Sequence, residues 1–202
     1  MKFLKLFAMF VLLVTCQTLP AQSIPYKAID ISPLLIGEKA PQAFLSDVSG
    51  KGDSLSHILS SRPTVLIFYR GGWCPYCNLH LAELQAIEKD ILKLGYQIVA
   101  ISPDSPENLA GSMDKHKLNY QLFSDADMKV SQAFGIAYRV PETLKERLRG
   151  ASDGSNPGLL PVPSVFVVNQ QGEILFEYIN PDYKKRLKGN LLLAVLKELK
   201  QP

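Results

Sequence analysis

Cys74 and Cys77, in the run Trp73-Cys74-Pro75-Tyr76-Cys77, are the residues of this chain best equipped for chemistry. Two thiols at this spacing can close a small disulfide ring and open it again, the minimum apparatus of reversible redox chemistry. The attacking species is the thiolate, so one of the two needs surroundings that lower its pKa. The apolar, β-branched run Thr64-Val-Leu-Ile-Phe-Tyr69 ends just before the pair, and a helix-patterned stretch begins just after Cys74. A helix start offers free backbone N–H groups and a partial positive charge, both of which favour thiolate over thiol. Cys74 falls at the N-cap, where its sulfur is expected to accept the N–H of Cys77. Pro75 takes the first helical position, where a missing N–H costs nothing. Moving a thiol from ~8.5 to ~7 takes about 2 kcal/mol of thiolate stabilisation, within reach of a helix terminus and one or two hydrogen bonds. Cys74 is therefore expected to be the partly exposed, attacking thiol, and Cys77, one turn inward and more buried, the resolving thiol.

The neighbours have weaker signatures. Trp73 and Tyr76 flank the thiols and are either an apolar docking surface for substrate or plain packing. Arg70 is placed to lower the Cys74 pKa, or to form a surface ion pair. Cys74, Cys77 and His80 could be read as zinc ligands, but three ligands on one helical turn diverge and no fourth is evident. His57 and His116 read as solvent-facing or capping residues. No motif calls for a metal or an organic cofactor.

The elements that must hold the pair follow from periodicity. Thr64–Tyr69 does not alternate, so it reads as a central strand buried on both faces. Cys77, Leu81, Leu84, Ile87, Ile91 and Leu94 draw one apolar helical stripe, closed by Gly95. Tyr96–Ile101 is the next buried strand, Ser105–Lys117 a helix, Gln121–Phe123 a strand and Ala126–Phe134 a short helix. This alternation predicts a parallel α/β sheet. Upstream, residues 22–36 lack periodicity and read as a linker, Phe44-Leu45 and Gly50–Asp53 suggest a hairpin, and a short helix starts near Asp53 and stops at Pro63. Downstream, Pro141–Arg149 reads as a polar helix and 150–157 as a loop. Ser164–Val168 and Glu173–Tyr178 form a hairpin, and Lys184–Lys200 a closing helix.

Four segments carry a resemblance that spans roughly residues 37–200. They are Phe68-Tyr-Arg-Gly-Gly-Trp-Cys-Pro-Tyr-Cys77, Val99-Ala-Ile-Ser-Pro-Asp-Ser-Pro-Glu107 with Leu122-Phe-Ser-Asp125, Val130-Ser-Gln-Ala-Phe-Gly-Ile136, and Pro163-Ser-Val-Phe-Val-Val-Asn-Gln-Gln-Gly-Glu-Ile174. In their order and spacing the chain resembles the peroxiredoxin-like (AhpC/TSA) branch of the thioredoxin superfamily. The resemblance implies a thioredoxin-like α/β fold, a central mixed sheet flanked by helices with peroxiredoxin-type elaborations. It also exposes departures. Peroxiredoxins place Thr or Ser three residues before the peroxide-attacking cysteine and Pro seven before; here Gly71 and Ile67 stand there. Their later arginine falls near Pro163, and a proline there is the thioredoxin choice. That comparison implies a cis Val162-Pro163 bond lying against the Cys74 sulfur, with the backbone before it free to pair with an extended substrate. An ordinary trans proline at a strand start is the plain alternative.

Composition sets the remaining bounds. At 202 residues, 47% apolar, the chain fits one domain and a leader, and its net charge of +3 is spread among interleaved acids and bases, with no nucleic-acid signature. Lys2 and Lys5, the apolar stretch Leu6–Val14 and a small-residue region ending at Ala21 have the form of a secretory signal over residues 1–21. Its apolar run is shorter than the ~20 residues of a membrane span. Its removal takes two lysines, no acid and Cys16, leaving +1 and only Cys74 and Cys77. Lipid attachment at Cys16 is the alternative, though Thr15 suits that signal poorly. An exported protein with a single Cys-x-x-Cys is better read as redox-active than as disulfide-stapled.

The expected function is an exported thiol–disulfide oxidoreductase, periplasmic or secreted. Cys74 attacks a protein or small-molecule disulfide, and Cys77 then releases the product. The alternative is a peroxiredoxin-type peroxidase that forms a sulfenic acid on Cys74, resolved by Cys77. A binding module with vestigial thiols is a third class, separable by replacing both cysteines with serine. Either enzyme needs an external thiol reductant, and a homodimer is left open.

Overall fold

The computed structural model describes residues 23–200. The predicted signal segment and Cys16 lie outside the described residues, as does the side chain of His116.

Seven strands form one mixed sheet. In chain order the elements are β1 (Phe44–Asp47), β2 (Gly52–Ser54), α1 (Leu55–Ser61), β3 (Thr64–Phe68), α2 (Pro75–Lys93), β4 (Gln97–Ser102), α3 (Pro106–His116), β5 (Gln121–Ser124), α4 (Lys129–Ala133), β6 (Ala137–Arg139), α5 (Glu142–Ala151), β7 (Leu159–Pro161), β8 (Ser164–Val168), β9 (Ile174–Ile179) and α6 (Gly189–Leu199). The sheet order is β2-β1-β5-β4-β3-β8-β9, with β3, β4 and β5 parallel and the outer strands antiparallel. Central β3 pairs Phe68 with Ile101 on one side and with Ser164 on the other.

The period of two explains why β3 is apolar throughout. Val65, Ile67 and Tyr69 face a core shared with α2, α3 and α6. Leu66 and Phe68 face a second core with α1, α4 and Phe134, where the Phe68 and Phe134 rings lie 4.8 Å apart between centroids. The stripe predicted on α2 is buried at Cys77, Leu81, Leu84 and Ile91. Leu94 caps the helix, and Gly95 follows with φ +91°. α1 begins at Leu55, where the Ser54 hydroxyl accepts the His57 N–H at 3.2 Å. The His57 ring is exposed and paired with Asp53.

The structure differs from the sequence expectations in three segments. Residues 23–40 are largely irregular but tied down: Arg139 N–H donates to Pro25 O at 2.8 Å, Leu34 N–H to Phe134 O at 3.1 Å and Ala40 N–H to Gly172 O at 2.7 Å. β6 and β7 form a separate two-stranded ladder, whose three-residue strands are too short to show a period. The closing helix starts at Gly189, five residues later than its composition suggests, leaving residues 180–188 as a connection. Lys188 is extended at its N-cap, and the Gly189 N–H is held by Glu83 Oε1 at 2.8 Å.

Candidate active site

β3 ends at Phe68, and Tyr69–Trp73 carry the chain from the C-terminal end of this central strand to the start of α2. Gly71 makes this turn with φ +129°, a region open in practice only to glycine. A Cβ there would sit 2.5 Å from Trp73 Nε1 and 2.6 Å from Asp104 Oδ1. The glycine that stands where peroxiredoxins carry Thr or Ser is thus required by both the backbone and the space. Asp104, two residues beyond β4, secures the turn by accepting the Gly72 N–H at 2.7 Å and the Ser102 hydroxyl at 3.1 Å. Its burial pushes its pKa up to about 6 against these two bonds.

Cys74 is the N-cap residue of α2 and Pro75 the first helical residue, as the sequence predicts. Two expectations change. Cys74 is 1% exposed, buried rather than partly exposed. Its sulfur does not cap the helix; the Cys77 N–H donates instead to the Cys74 carbonyl at 3.0 Å. The Cys74 thiol is nevertheless lowered to about 6. The Cys77 thiol, turned toward the Cys74 sulfur, is the largest cause; the nearby Cys77 N–H and the positive charges of Arg70 and Arg186 add to it, against burial. Cys77, fully buried, is pushed up because it shares its proton with Cys74, lies in apolar surroundings and faces the Cys74 charge. Near neutral pH the pair is therefore one thiolate and one thiol, with both cysteines free. Such an asymmetric pair can attack an electrophilic oxygen or sulfur with Cys74 and then close with Cys77.

Arg70 is not a surface ion pair. It is 7% exposed, and its guanidinium carbon lies 5.1 Å from the Trp73 ring centroid and 4.2 Å from that of Tyr183. Arg147 of α5 lies 5.5 Å from the same Trp73 ring, and the Tyr76 and Tyr183 rings meet edge to face at 5.7 Å. Tyr138, half-buried on β6, feels the charges of both Arg70 and Cys74. Arg70, Trp73, Tyr138 and Tyr183 thus cluster beside the buried Cys74. Pro75 and Tyr76 are exposed on the outer surface. Beside Trp73, Gly72, Asp104, Asn108, Ser112 and Arg147 line a groove of about 270 Å³.

Arg186 was not foreseen. It comes from the connection before α6 and donates through Nη2 to Cys77 Sγ at 3.5 Å, while its Nη1 holds the Tyr183 and Lys185 carbonyls. His80 is 4% exposed, and burial followed by the Arg186 charge lowers its pKa to about 4, so it stays neutral.

Val162 and Pro163 depart most from expectation. No cis peptide occurs among the described residues, so Val162–Pro163 is trans. β7 runs into β8 with no tight turn between them, and the ordinary preference for trans prevails. Val162 is buried; its N–H donates to Ile136 O at 2.8 Å, and its carbonyl accepts the Ser164 hydroxyl at 2.8 Å. The N–H is occupied, which leaves an extended substrate no donor there. Pro163 instead lines a small cavity with His80 and Arg186.

Known proteins share this arrangement of strands and helices. The family model described as AhpC/TSA family matches residues 36–176. Peroxiredoxin Bcp of Escherichia coli (strain K12) is 31% identical over 168 residues, covering 83% of this chain and 99% of that protein. The chloroplastic peroxiredoxin Q of Suaeda salsa is 28% identical over 77% of this chain and 64% of its own length. Among solved structures, peroxidoxin BcpB of Mycobacterium tuberculosis superposes with a TM-score of 0.65 at 23% identity, over 81% of this chain and 97% of that one. Reduced Prx3 of Vibrio vulnificus, in complex with hydrogen peroxide, gives 0.70 at 15% identity, over 81% and 99%. With the mixed sheet, the strand-to-helix turn and a thiol at its apex in place, the chain belongs to the AhpC/TSA family, the peroxiredoxin-like branch of the thioredoxin superfamily, and is a thiol-dependent oxidoreductase.

Proposed function

We propose that this protein is an exported thiol peroxidase. The observation that carries the reading is the asymmetric pair: Cys74, lowered to about 6, beside Cys77, held as a thiol. The Cys74 thiolate attacks the outer oxygen of a hydroperoxide. The O–O bond breaks, an alcohol or water leaves with one proton, and Cys74 becomes a sulfenic acid. Cys77 then attacks the Cys74 sulfur. The S–S bond forms, the S–O bond breaks, and the Cys77 proton leaves with the hydroxide as water. An external dithiol restores the pair.

Relatives named peroxiredoxins support this reading over disulfide exchange. So does the Val162 N–H, already paired with the Ile136 carbonyl, which gives an extended polypeptide no donor to join. In place of the absent Thr and Arg, Arg70 supplies positive charge at the thiolate. The exported location rests on the form of residues 1–21.

Stopped-flow mixing of the reduced mature protein with hydrogen peroxide tests it. The expected result is oxidation orders of magnitude faster than that of a free thiol, with mass spectrometry placing the sulfenic acid on Cys74 in the Cys77→Ser variant. A rate like that of an ordinary thiolate would return the protein to disulfide exchange.

A further inference from the structure

The mechanism requires Cys77 to lose its proton at one moment only, after Cys74 has reacted. We infer that Arg186 is the residue that turns Cys77 into the resolving nucleophile. Its Nη2 is 3.5 Å from Cys77 Sγ, the sulfur on which negative charge must appear. The guanidinium is held from behind by the Tyr183 and Lys185 carbonyls, so it is aimed before the charge develops. Its Nε is buried and has no partner, and no carboxylate pairs with it among the described residues. An arginine without a carboxylate partner, one nitrogen on the buried Cys77 sulfur, is placed for the charge that forms on that sulfur.

The timing follows from what surrounds Cys77. While Cys74 is a thiolate, its charge and the shared proton keep Cys77 protonated. Oxidation to sulfenic acid, or capture as a mixed disulfide, makes the Cys74 sulfur neutral and removes that restraint. Arg186 remains, together with the Arg70 N–H, and both favour the Cys77 thiolate. Cys77 then gives up its proton, attacks the Cys74 sulfur and expels hydroxide or a thiolate.

The inference deepens the peroxidase reading but can be tested without it. Reduced protein mixed with 5,5′-dithiobis(2-nitrobenzoate) should release thionitrobenzoate in two steps: one equivalent when Cys74 attacks, and a second when Cys77 displaces the mixed disulfide. In Arg186→Met the second step should slow by about tenfold, the loss of a charge-assisted hydrogen bond. The first step should slow by less than about threefold, because Arg186 comes after Cys77, burial and Arg70 among the influences on Cys74. Arg186→Lys, which keeps the charge, should recover part of the second step. Arg186→Gln serves if the Met variant fails to fold, with circular dichroism as the check. A second step as fast as wild type, or both steps falling together without recovery by Lys, overturns the inference. Failure of the peroxidase reading would appear separately, as slow peroxide oxidation of the wild type with the two-step release intact.

Discussion

Each sulfur of the Cys74–Cys77 pair owes its protonation state mainly to the other. Cys77→Ala removes the largest influence lowering the Cys74 pKa, so the midpoint of iodoacetamide alkylation against pH should rise from about 6 toward the ordinary thiol range, while Cys77→Ser, which keeps a donor, should move it less. Gly71 makes a sharper point. The family's hydroxyl residue cannot be restored there, because φ is +129° and the indole and the Asp104 carboxylate already fill the space. Gly71→Thr should therefore lower stability by about 1–3 kcal/mol or more, read by denaturant unfolding, and leave peroxide oxidation no faster than wild type. The two thiols and Pro75 were visible in the sequence because their meaning is local, whereas Gly71 showed there only as a departure from the family's Thr or Ser. Arg186 and Tyr183, Arg147, and Asp104 reach the site from three separate segments, and no spacing in the chain announces that meeting.

The elements were legible in proportion to their length. β3 and α2 carry a period over enough residues to read. β6 and β7 do not, and residues 184–188 have a helical composition that yields to the hydrogen bond between Gly189 and Glu83. α4 shows how a short element is secured instead. The buried Asp125 carboxylate accepts the Val130 N–H at 2.9 Å and the Ser131 N–H at 2.8 Å. Burial, first among its influences, raises its pKa to about 6. The folded state thus holds this proton more tightly than the unfolded chain, and Asp125 favours folding fully below its ordinary pKa, less as pH rises through 6. Asp125→Asn carries no such charge. Relative to wild type it should be least stable near pH 4 and gain by up to about 3 kcal/mol by pH 7, measured as the difference in unfolding midpoint at the two pH values. Asp104 and His80 titrate in the same window with opposite signs, which is why the comparison is made between variants at each pH.

At the scale of the whole molecule, the central strand β3 delivers both thiols to the C-terminal end of the parallel strands, where residues of α5, β6 and the connection before α6 gather beside them. The cluster is made of side chains, Trp73, Tyr138, Tyr183 and Arg70, not of a hinged segment. Tyr183→Ala should raise the rate at which a bulky maleimide labels Cys74 several-fold, with little change for hydrogen peroxide; equal acceleration of both would mean that Tyr183 does not set access. Of the clustered side chains, Trp73, Tyr138 and Tyr183 are partly exposed; side chains at a surface change rotamer in picoseconds to nanoseconds, whereas loops and domains take up to milliseconds. An entrance built this way imposes no waiting time on a small oxidant and a steep one on a large molecule, so it works as a sieve and not as a clock.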